Sequence, residues 1–529
     1  MAESLYNALL AKRSEPAFRG KGAPGCDIKS VLLPIHGGTD DRDQLLLKLS
    51  IIRQLYARQV LLEEDAVSLM NDVTYQLVKL LQNVDRLIVY EAEKASVAVL
   101  SNQNCTVKIV KDTLIMLTQQ MLRKEERTTE YEMVYSLQLL TELLKAIRKE
   151  NKTPLTIAKK DCCFMVLSSC WNQLFKKIVS PLLSSPPLPR VDVCKMAATV
   201  DQSLLQLLLL MIEILKHSNI ETPILHSFQS PLILGDISQA VQSSFSLICY
   251  TKLCDLFRKH LLLLDDEGGV GSPLLILDLF MNHYVSSHNV FIDDWFTRQY
   301  DQISDTSSIE YSIVDTYIRK SLLISLQLAT QDVTDLVHER LLFKPVQRFM
   351  QYLREVSLKK GESYINVLLQ LISEQDTCLV ETLTYSLKLT ELQQERGSSE
   401  LILNIHELFI SFLDSITYDE STLIDFIIDT DTRFDSFLNS YLQHSNKNGG
   451  NALAQYCTER SKNEESTVQL VDYSDSEDDE QIESTRCEVM LTRLRDKLIK
   501  LEKQSVIPAG KLPTVFPELI STCHHNGTN

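Results

Sequence analysis

Ser474 and Ser476 are the residues whose spacing most directly predicts chemistry in this chain. Glu477 stands three positions after Ser474, and Asp479 stands three positions after Ser476. Acidophilic Ser/Thr kinases recognise this pattern, and each phosphate adds about −1.5 to −2 charge at neutral pH. The sequence therefore predicts phosphorylation at Ser474 and Ser476, with an unmodified solvating linker as the alternative.

The two serines lie in a strongly acidic segment. Residues 464–483 contain nine carboxylates and no Lys or Arg, in a chain with 53 basic residues, 70 acidic residues and a net charge of −17. The segment has too little apolar surface to offset the entropic cost of ordering it. We therefore expect a disordered acidic linker that docks on a basic partner surface, with phosphate tuning the interaction.

No catalytic, metal-binding or cofactor-binding pattern accompanies the serines. The sequence has no Gly-x-Ser-x-Gly or His-Glu-x-x-His motif, and its glycine-rich run at 268–272 lacks the Lys-Ser/Thr of a phosphate-binding loop. His283 and His288 lack a second ligand pair at zinc spacing, as does the Cys-His-His run at 523–525. We predict a protein that is not an enzyme and needs no cofactor. An enzyme with an unrecognised site is an alternative, and it would require a deep pocket with convergent titratable groups.

The charge balance and hydropathy exclude two further classes of partner. General nucleic-acid binding relies on clustered Lys and Arg, whereas the short basic group at Lys145, Arg148, Lys149 and Lys152 has the spacing of one solvated helix face. The most apolar run, residues 204–215, is shorter than the roughly 20 residues of a membrane-spanning helix. We expect neither direct nucleic-acid binding nor a membrane partner.

The cysteines do not form a pairing or metal-binding pattern. Twelve are scattered along the chain without a Cys-x-x-Cys motif, and several lie in apolar runs, as Cys249 does. Buried free thiols in a reducing, intracellular compartment are the natural interpretation.

The elements that must position any binding residue are helices. Gly and Pro number only 15 each among 529 residues, which is below their usual share and suits long helices with short connections. Apolar residues recur three or four positions apart from residue 45 onward. The run Asn83-Val-Asp85 predicts a tight turn between two helices, and residues 238–264 read as one continuous helix.

Roughly fifteen to twenty helices without strands predict an all-α fold. We expect an α-solenoid-like array of the armadillo or HEAT kind, in which each helix pair buries its apolar stripe against the next pair. A large irregular helical bundle is the structural rival, because the sequence contains no repeat consensus of fixed period.

Composition divides the chain into four parts. Residues 1–43 are predicted to form a loose arm, residues 44–445 the helical domain, residues 446–487 the disordered acidic linker and residues 488–529 a short helical segment. In the last part, one apolar stripe is formed by Leu491, Leu494, Leu498 and Leu501. A single helix of this length does not fold alone, so we expect it to dock on the main body or on a partner.

Three segments, in the same order, resemble the Lines family. The first joins Ser373-Glu-Gln-Asp376 to the helix predicted after it, and the second extends from residue 408 to 442 through an aromatic-rich helix. The third is Leu470-Val-Asp-Tyr473 with the acidic run that follows it. Residues 489–501 are also similar to the family's short C-terminal domain, whereas residues 507–513 depart from its aromatic ending.

The resemblance implies a non-enzymatic regulator of developmental signalling of the Wnt and Hedgehog type. It implies protein partners that are transcriptional regulators, including zinc-finger repressors, and a distribution between cytoplasm and nucleus. A cytoplasmic scaffold or transport adaptor with the same fold remains the alternative. In both cases stacked helices provide an extended concave face along which a partner segment can lie.

Overall fold

The computed structural model describes residues 35, 42–57, 63–123, 130–150, 153–184, 201–217, 231–244, 246–264, 273–281, 308–331, 336–396, 402–429, 431–447 and 482–503. Within these ranges all regular secondary structure is helical, which confirms the predicted all-α class. The helices are α1 (Arg42–Ala57), α2 (Glu63–Leu80), α3 (Arg86–Ser101), α4 (Val107–Leu122), α5 (Glu130–Lys149), α6 (Pro154–Leu183), α7 (Gln202–Leu215), α8 (Pro231–Ser244), α9 (Leu247–Leu264), α10 (273–281), α11 (Ser308–Ala329), α12 (Leu336–Lys360), α13 (Tyr364–Ile372), α14 (Asp376–Glu395), α15 (Ile405–Ser415), α16 (Glu420–Ile428), α17 (Phe434–Lys447) and α18 (Ile482–Lys503).

The chain divides into two compact units. The first is made of residues 1–267, 282–290 and 306–314, and the second of residues 268–281, 291–305 and 315–529. The helical domain predicted for residues 44–445 therefore extends over both units.

In the first unit the helices stack in two layers. The odd layer consists of α1, α3, α5, α7 and α9, and each of these helices packs on the next odd-numbered one. The even layer consists of α2, α4, α6 and α8, which pack on one another in the same way. Contacts such as those of α2 with α3 and of α5 with α6 join the layers. Packing of each helix on the one two positions further along is the arrangement of an α-solenoid, so the solenoid-like prediction is confirmed.

Short polar residues start these helices where the sequence changes from turn to apolar period. Thr106 accepts a hydrogen bond from the backbone N–H of Ile109 at the start of α4. Thr153 caps α6 in the same way and is followed by Pro154, which is favoured in the first helical position. The apolar stripe of each helix then turns inward, as Leu137, Leu140 and Leu144 of α5 do.

The helices of the odd layer run in the same direction. Arg42 at the start of α1 pairs with Asp85, which caps the start of α3. At the other end, the side-chain amide of Asn102 donates to the carbonyl of Tyr56 at 2.7 Å, which joins the ends of α3 and α1. Each intervening even helix brings the chain back to the end from which the previous odd helix started.

Two lysines of α6 bind the carboxyl ends of helices in both layers. Lys159 Nζ donates to the carbonyl of Asn102 at 2.7 Å and to that of Leu100 at 3.1 Å, at the end of α3. Lys177 Nζ donates to the carbonyl of Met121 at 2.6 Å, at the end of α4. A cation at a helix carboxyl end satisfies free carbonyls and complements the helix dipole, so these contacts fix α6 against both layers.

Residues 238–264 contain the break between α8 and α9 and do not form the single helix expected from their apolar pattern. The backbone N–H of Ser246 donates to Ser244 Oγ at 3.4 Å, and Ser246 Oγ accepts from the N–H of Cys249 at 3.4 Å. Serine hydroxyls that bind nearby backbone groups compete with helical hydrogen bonds. The serine-rich turn therefore ends one helix and caps the next.

In the second unit an aromatic cluster joins α15 and α17. The ring centroids of Phe409 and Phe437 are 5.8 Å apart, and those of Phe412 and Phe434 are 6.2 Å apart. All four rings are buried, and α13 and α14 pack beside them. Aromatic pairs at these separations stabilise the core beyond the area that they bury.

The last helix docks on the second unit. It packs on α16 and buries Leu491, Leu494 and Leu498, and Lys497 Nζ lies 2.8 Å from Glu420 Oε1. The docking expected for this stripe is thus made on the protein's own body. The helix begins at Ile482, before the boundary at 488 that composition suggested.

Candidate protein-binding surface

An exposed apolar patch lies at the amino ends of α3 and α5. Val84 in the turn before α3 is 97% exposed, Leu87 and Tyr90 on α3 are 44% and 42% exposed, and Tyr131 on α5 is 46% exposed. We call these four residues the tyrosine patch. Leu87 and Tyr90 are three positions apart and share one face of α3, so the apolar side chains are grouped and not scattered.

The turn that positions the tyrosine patch is the one predicted from the sequence. The backbone N–H of Asp85 donates to Asn83 Oδ1 at 2.8 Å, and Asp85 Oδ1 accepts from the N–H of Leu87 at 2.9 Å. The hydrogen bond from the Arg42 guanidinium lowers the pKa of the Asp85 carboxyl. The ionised carboxylate therefore holds the start of α3 and leaves Val84 projecting into solvent.

Two cations cover the aromatic rings of the patch. The guanidinium carbon of Arg86 lies 4.2 Å from the ring centroid of Tyr131, and Lys94 Nζ lies 5.4 Å from that of Tyr90. Such contacts contribute about 0.5–1 kcal/mol each at exposed sites. Tyr and Arg are also the side chains most enriched at binding hot spots, so the patch has the composition of a protein interface.

Polar bridges between odd helices keep this surface in register. Arg53 of α1 lies 3.1 Å from Glu91 of α3, and Gln138 of α5 donates to Glu93 of α3 at 3.2 Å. Glu93 is fully buried, and burial raises the pKa of its carboxyl to about 7. Polar groups buried between helices must be paired, which restricts how α3 and α5 can slide past each other.

Two of the four cations in the basic group at residues 145–152 are paired with carboxylates. Arg148 Nε lies 2.7 Å from Glu213 Oε1 of α7, and Lys145 Nζ lies 2.8 Å from Glu142 Oε1. Lys149 is exposed, and Lys152 lies outside the described residues. This helix surface therefore has few free cations for a polyanion.

Titratable residues meet in the second unit, where two buried histidines pair with a tyrosine and with a partly exposed glutamate. His406 Nδ1 lies 3.0 Å from the Tyr441 hydroxyl, and His444 Nδ1 lies 3.3 Å from Glu391 Oε1. Burial, assisted by the neighbouring His444, lowers the pKa of His406 to about 4. Both histidines are buried, so the group contributes to packing and hydrogen bonding. Sequence inspection missed it because His406 and Tyr441 are 35 positions apart.

The described cysteines agree with the interpretation as buried thiols. Seven described cysteines are buried and form no disulfide bond: Cys105, Cys162, Cys163, Cys170, Cys249, Cys254 and Cys378. Burial raises the pKa of the Cys105, Cys170 and Cys249 thiols to about 11. A thiol that stays protonated at neutral pH is a poor nucleophile, so these residues act as small apolar side chains.

In the described part of the chain, no three His, Cys, Asp or Glu side chains lie together in a way that could hold a metal ion. No helix in that part has the length and apolarity to cross a bilayer. Ser474, Ser476, His283, His288 and the runs at 268–272 and 523–525 lie outside the described residues. The predictions made for them stay predictions.

Comparison with known proteins adds little to this geometry. No protein-family model matches the chain, and no curated protein sequence matches it. Among solved structures it is similar to a circular tandem repeat protein with novel repeat topology and enhanced subunit contact surfaces, at 11% identity and a TM-score of 0.27 over 99% of each chain. At this TM-score the similarity does not establish a shared fold or a shared function. The class of the protein, an all-α array of stacked helices, follows from the packing of its own helices, and such folds are typical of protein-binding scaffolds.

Proposed function

We propose that this protein is a non-enzymatic interaction protein and that the tyrosine patch is its main binding surface. The observation that carries the proposal is the group of exposed apolar side chains at the ends of α3 and α5, with Arg86 and Lys94 on the rings. Grouped apolar side chains exposed on a rigid scaffold mark binding sites more often than isolated ones do.

The scaffold supports this role because it holds the patch without requiring any movement. Asp85 fixes the start of α3, and the bridges from Arg53 and Gln138 fix α3 against its two neighbours. A preorganised surface loses little conformational entropy when a partner binds. A partner segment that inserts an apolar side chain between Leu87 and Tyr131, and places carboxylates near Arg86 and Lys94, would complement the patch.

Transcriptional regulators of developmental signalling are the partners that we propose. This part of the proposal is supported by the collinear resemblance of residues 373–389, 408–442 and 470–485 to the Lines family. It carries with it a distribution between cytoplasm and nucleus. A cytoplasmic scaffold or transport adaptor would use the same surface with cytoskeletal or vesicle proteins.

Proximity labelling in cells tests both parts of the proposal. We expect the intact chain to label nuclear regulators, and the triple variant L87A/Y90A/Y131A to label them about tenfold less, because truncating hot-spot side chains costs at least 1–2 kcal/mol. The matched control is I157A/M165A/L262A, which removes three similarly exposed apolar side chains elsewhere in the first unit.

The two variants separate the possible outcomes. Equal labelling by the patch variant and the intact chain would reject the tyrosine patch as the binding surface. The intact chain could instead label cytoskeletal or vesicle proteins, with that labelling lost in the patch variant. This outcome would support the adaptor function and reject the transcriptional role.

A further inference from the structure

The outer face of α12 is basic, although the chain as a whole is acidic. Residues 336–360 contain six Lys or Arg and two Glu, whereas the whole chain has a net charge of −17. Arg340, Lys344 and Arg354 are exposed and Arg348 is half-exposed. We call these four residues the basic face. At 3.6 residues per turn, the four side chains lie within an arc of about 120° around the helix axis, on its solvent side.

The inner face of the same helix explains why the cations point outward. Leu342, Val346, Phe349 and Leu353 are buried, and α12 packs on α13. The apolar stripe and the basic face therefore occupy opposite sides of α12, as in any amphipathic helix.

Most of the basic face has no carboxylate partner in the described part of the unit. No ion pair with a described residue is made by Arg340, Lys344 or Arg348. By contrast, Arg319 of α11 pairs with Asp315 and Glu374. Arg354 lies over the ring of Tyr364, with its guanidinium carbon 5.4 Å from the ring centroid. Three unpaired cations on one helix face form a site for an anion with several charges.

We propose that the basic face of α12 binds the acidic segment at residues 470–480 of the same chain, and that phosphates on Ser474 and Ser476 strengthen this contact. The segment has six carboxylates between residues 472 and 480 and no cation. The helices that flank it in the sequence, α17 and α18, belong to the same compact unit as α12. Charge complementarity on this scale favours the segment over an uncharged partner.

The chain is long enough to make the contact. Residues 448–481 connect the end of α17 to the start of α18, and an extended chain of this length reaches roughly 100 Å. The path from α17 to α12 passes through α14 and α13, which corresponds to roughly 30 Å at ordinary helix separations. Tethering raises the effective concentration of the segment at the basic face.

Zero-length carbodiimide cross-linking of the full chain tests the proposal, with Lys344 as the reporter amine. We expect cross-links from Lys344 to carboxylates of residues 472–480 that fall sharply in 0.5 M salt because salt screens exposed charges. Phosphorylation of the full chain in vitro by an acidophilic Ser/Thr kinase is expected to raise the yield of these cross-links. A competing peptide of residues 467–483 is expected to bind about tenfold more tightly when it is phosphorylated than when it is not.

A pair of matched variants removes the same charge from two different helices. R340Q/R348Q keeps the reporter and is expected to weaken docking about tenfold, because two of the cations that would face the segment are lost. K108Q/K111Q removes two exposed cations from α4 and should leave the Lys344 cross-links unchanged.

Three outcomes would overturn the proposal. The first is the absence of Lys344 cross-links, or an equal yield at Lys108 and Lys111. The second is cross-links that join only isotopically distinct copies, which would make the contact intermolecular. The third is a DNA duplex that binds the basic face more tightly than the phosphorylated peptide does, since that result would assign the face to nucleic acid.

Discussion

At the scale of single residues, the first unit buries charged groups between helices. Glu93 is fully buried beside Gln138, and Glu213 is buried beside Arg148. A buried carboxylate is costly unless its hydrogen bonds replace those lost from water. These residues therefore restrict the register of α3, α5 and α7 at some cost to stability.

Replacing Glu93 with Gln should stabilise the protein at high pH. The folded state holds the proton of Glu93 up to a pKa of about 7, whereas the unfolded chain releases it near the usual value of about 4.3. The free energy of unfolding must therefore fall as pH rises through this window. We expect the E93Q substitution to raise the free energy of unfolding by about 3 kcal/mol at pH 8 but by only about 1 kcal/mol at pH 5.

Urea unfolding at the two pH values measures this difference. Asp112 is an exposed carboxylate of α4, and D112N should change the free energy of unfolding by less than about 0.5 kcal/mol at either pH. Destabilisation of E93Q at pH 8 would contradict this expectation and would show that the ionised carboxylate is stabilised by Lys94, whose Nζ lies 3.6 Å from Glu93 Oε1.

At the scale of helices, α6 connects the two layers of the first unit. It spans Pro154–Leu183, and two of its lysines, Lys159 and Lys177, reach the ends of α3 and α4. Lys159 is almost completely buried, and this burial lowers the pKa of its ammonium group. The cation persists there because three carbonyls of residues 100–102 accept its hydrogen bonds.

Replacing Lys159 with Met should loosen the carboxyl end of α3. The substitution keeps the volume of the stem but removes this donor from the carbonyls of Leu100 and Ser101, whereas the Asn102 carbonyl keeps the backbone N–H of Cys105. Each unsatisfied carbonyl costs about 1–3 kcal/mol. We expect the K159M variant to lose about 3 kcal/mol of stability in urea unfolding, with faster amide exchange at residues 98–102. Lys160 is the neighbouring, half-exposed residue, and K160M should be close to neutral. Equal losses for both variants would contradict a specific role for Lys159.

Much of this helical architecture can be predicted from the sequence, because apolar periodicity and caps are local signals. The turn at Asn83–Asp85 and the stripe at Leu491, Leu494 and Leu498 are examples. The break near Ser246 was missed, because the apolar period continues across it and the competing hydroxyl bonds depend on backbone geometry. The tyrosine patch could not be predicted either, because the sequence does not distinguish Tyr90 and Tyr131 from buried tyrosines. Only the packing of α3 and α5 shows that both side chains are exposed.

At the scale of the whole first unit, stability is distributed along the stack. Each odd helix packs on its odd-numbered neighbours, and α3, α5, α7 and α9 also pack on adjacent even helices. An interaction lost at one helix is therefore felt first by the helices beside it. In such arrays stability is close to a sum of nearest-neighbour contributions. Local opening should therefore spread gradually along the layers.

Replacing Leu137 with Ala tests this distribution. Leu137 is fully buried in α5, and the cavity should cost about 2–5 kcal/mol. We expect hydrogen exchange to accelerate most in α3, α5 and α7, and less in α1 and α9. The control L262A truncates a half-exposed leucine of α9 and should have little effect. Equal acceleration in every helix of the unit would show one cooperative body in place of a nearest-neighbour array.

The common direction of α1, α3, α5 and α7 limits how such a chain can change its length. Inserting or deleting a single helix would turn every later helix end for end, and Arg148 would then be carried away from Glu213. Gaining or losing two consecutive helices preserves the polarity of the rest. Growth of this array by duplication is therefore restricted to even numbers of helices. A splice form that lacks an odd number of helices would separate the helix ends that Asp85, Asn102 and Lys159 join.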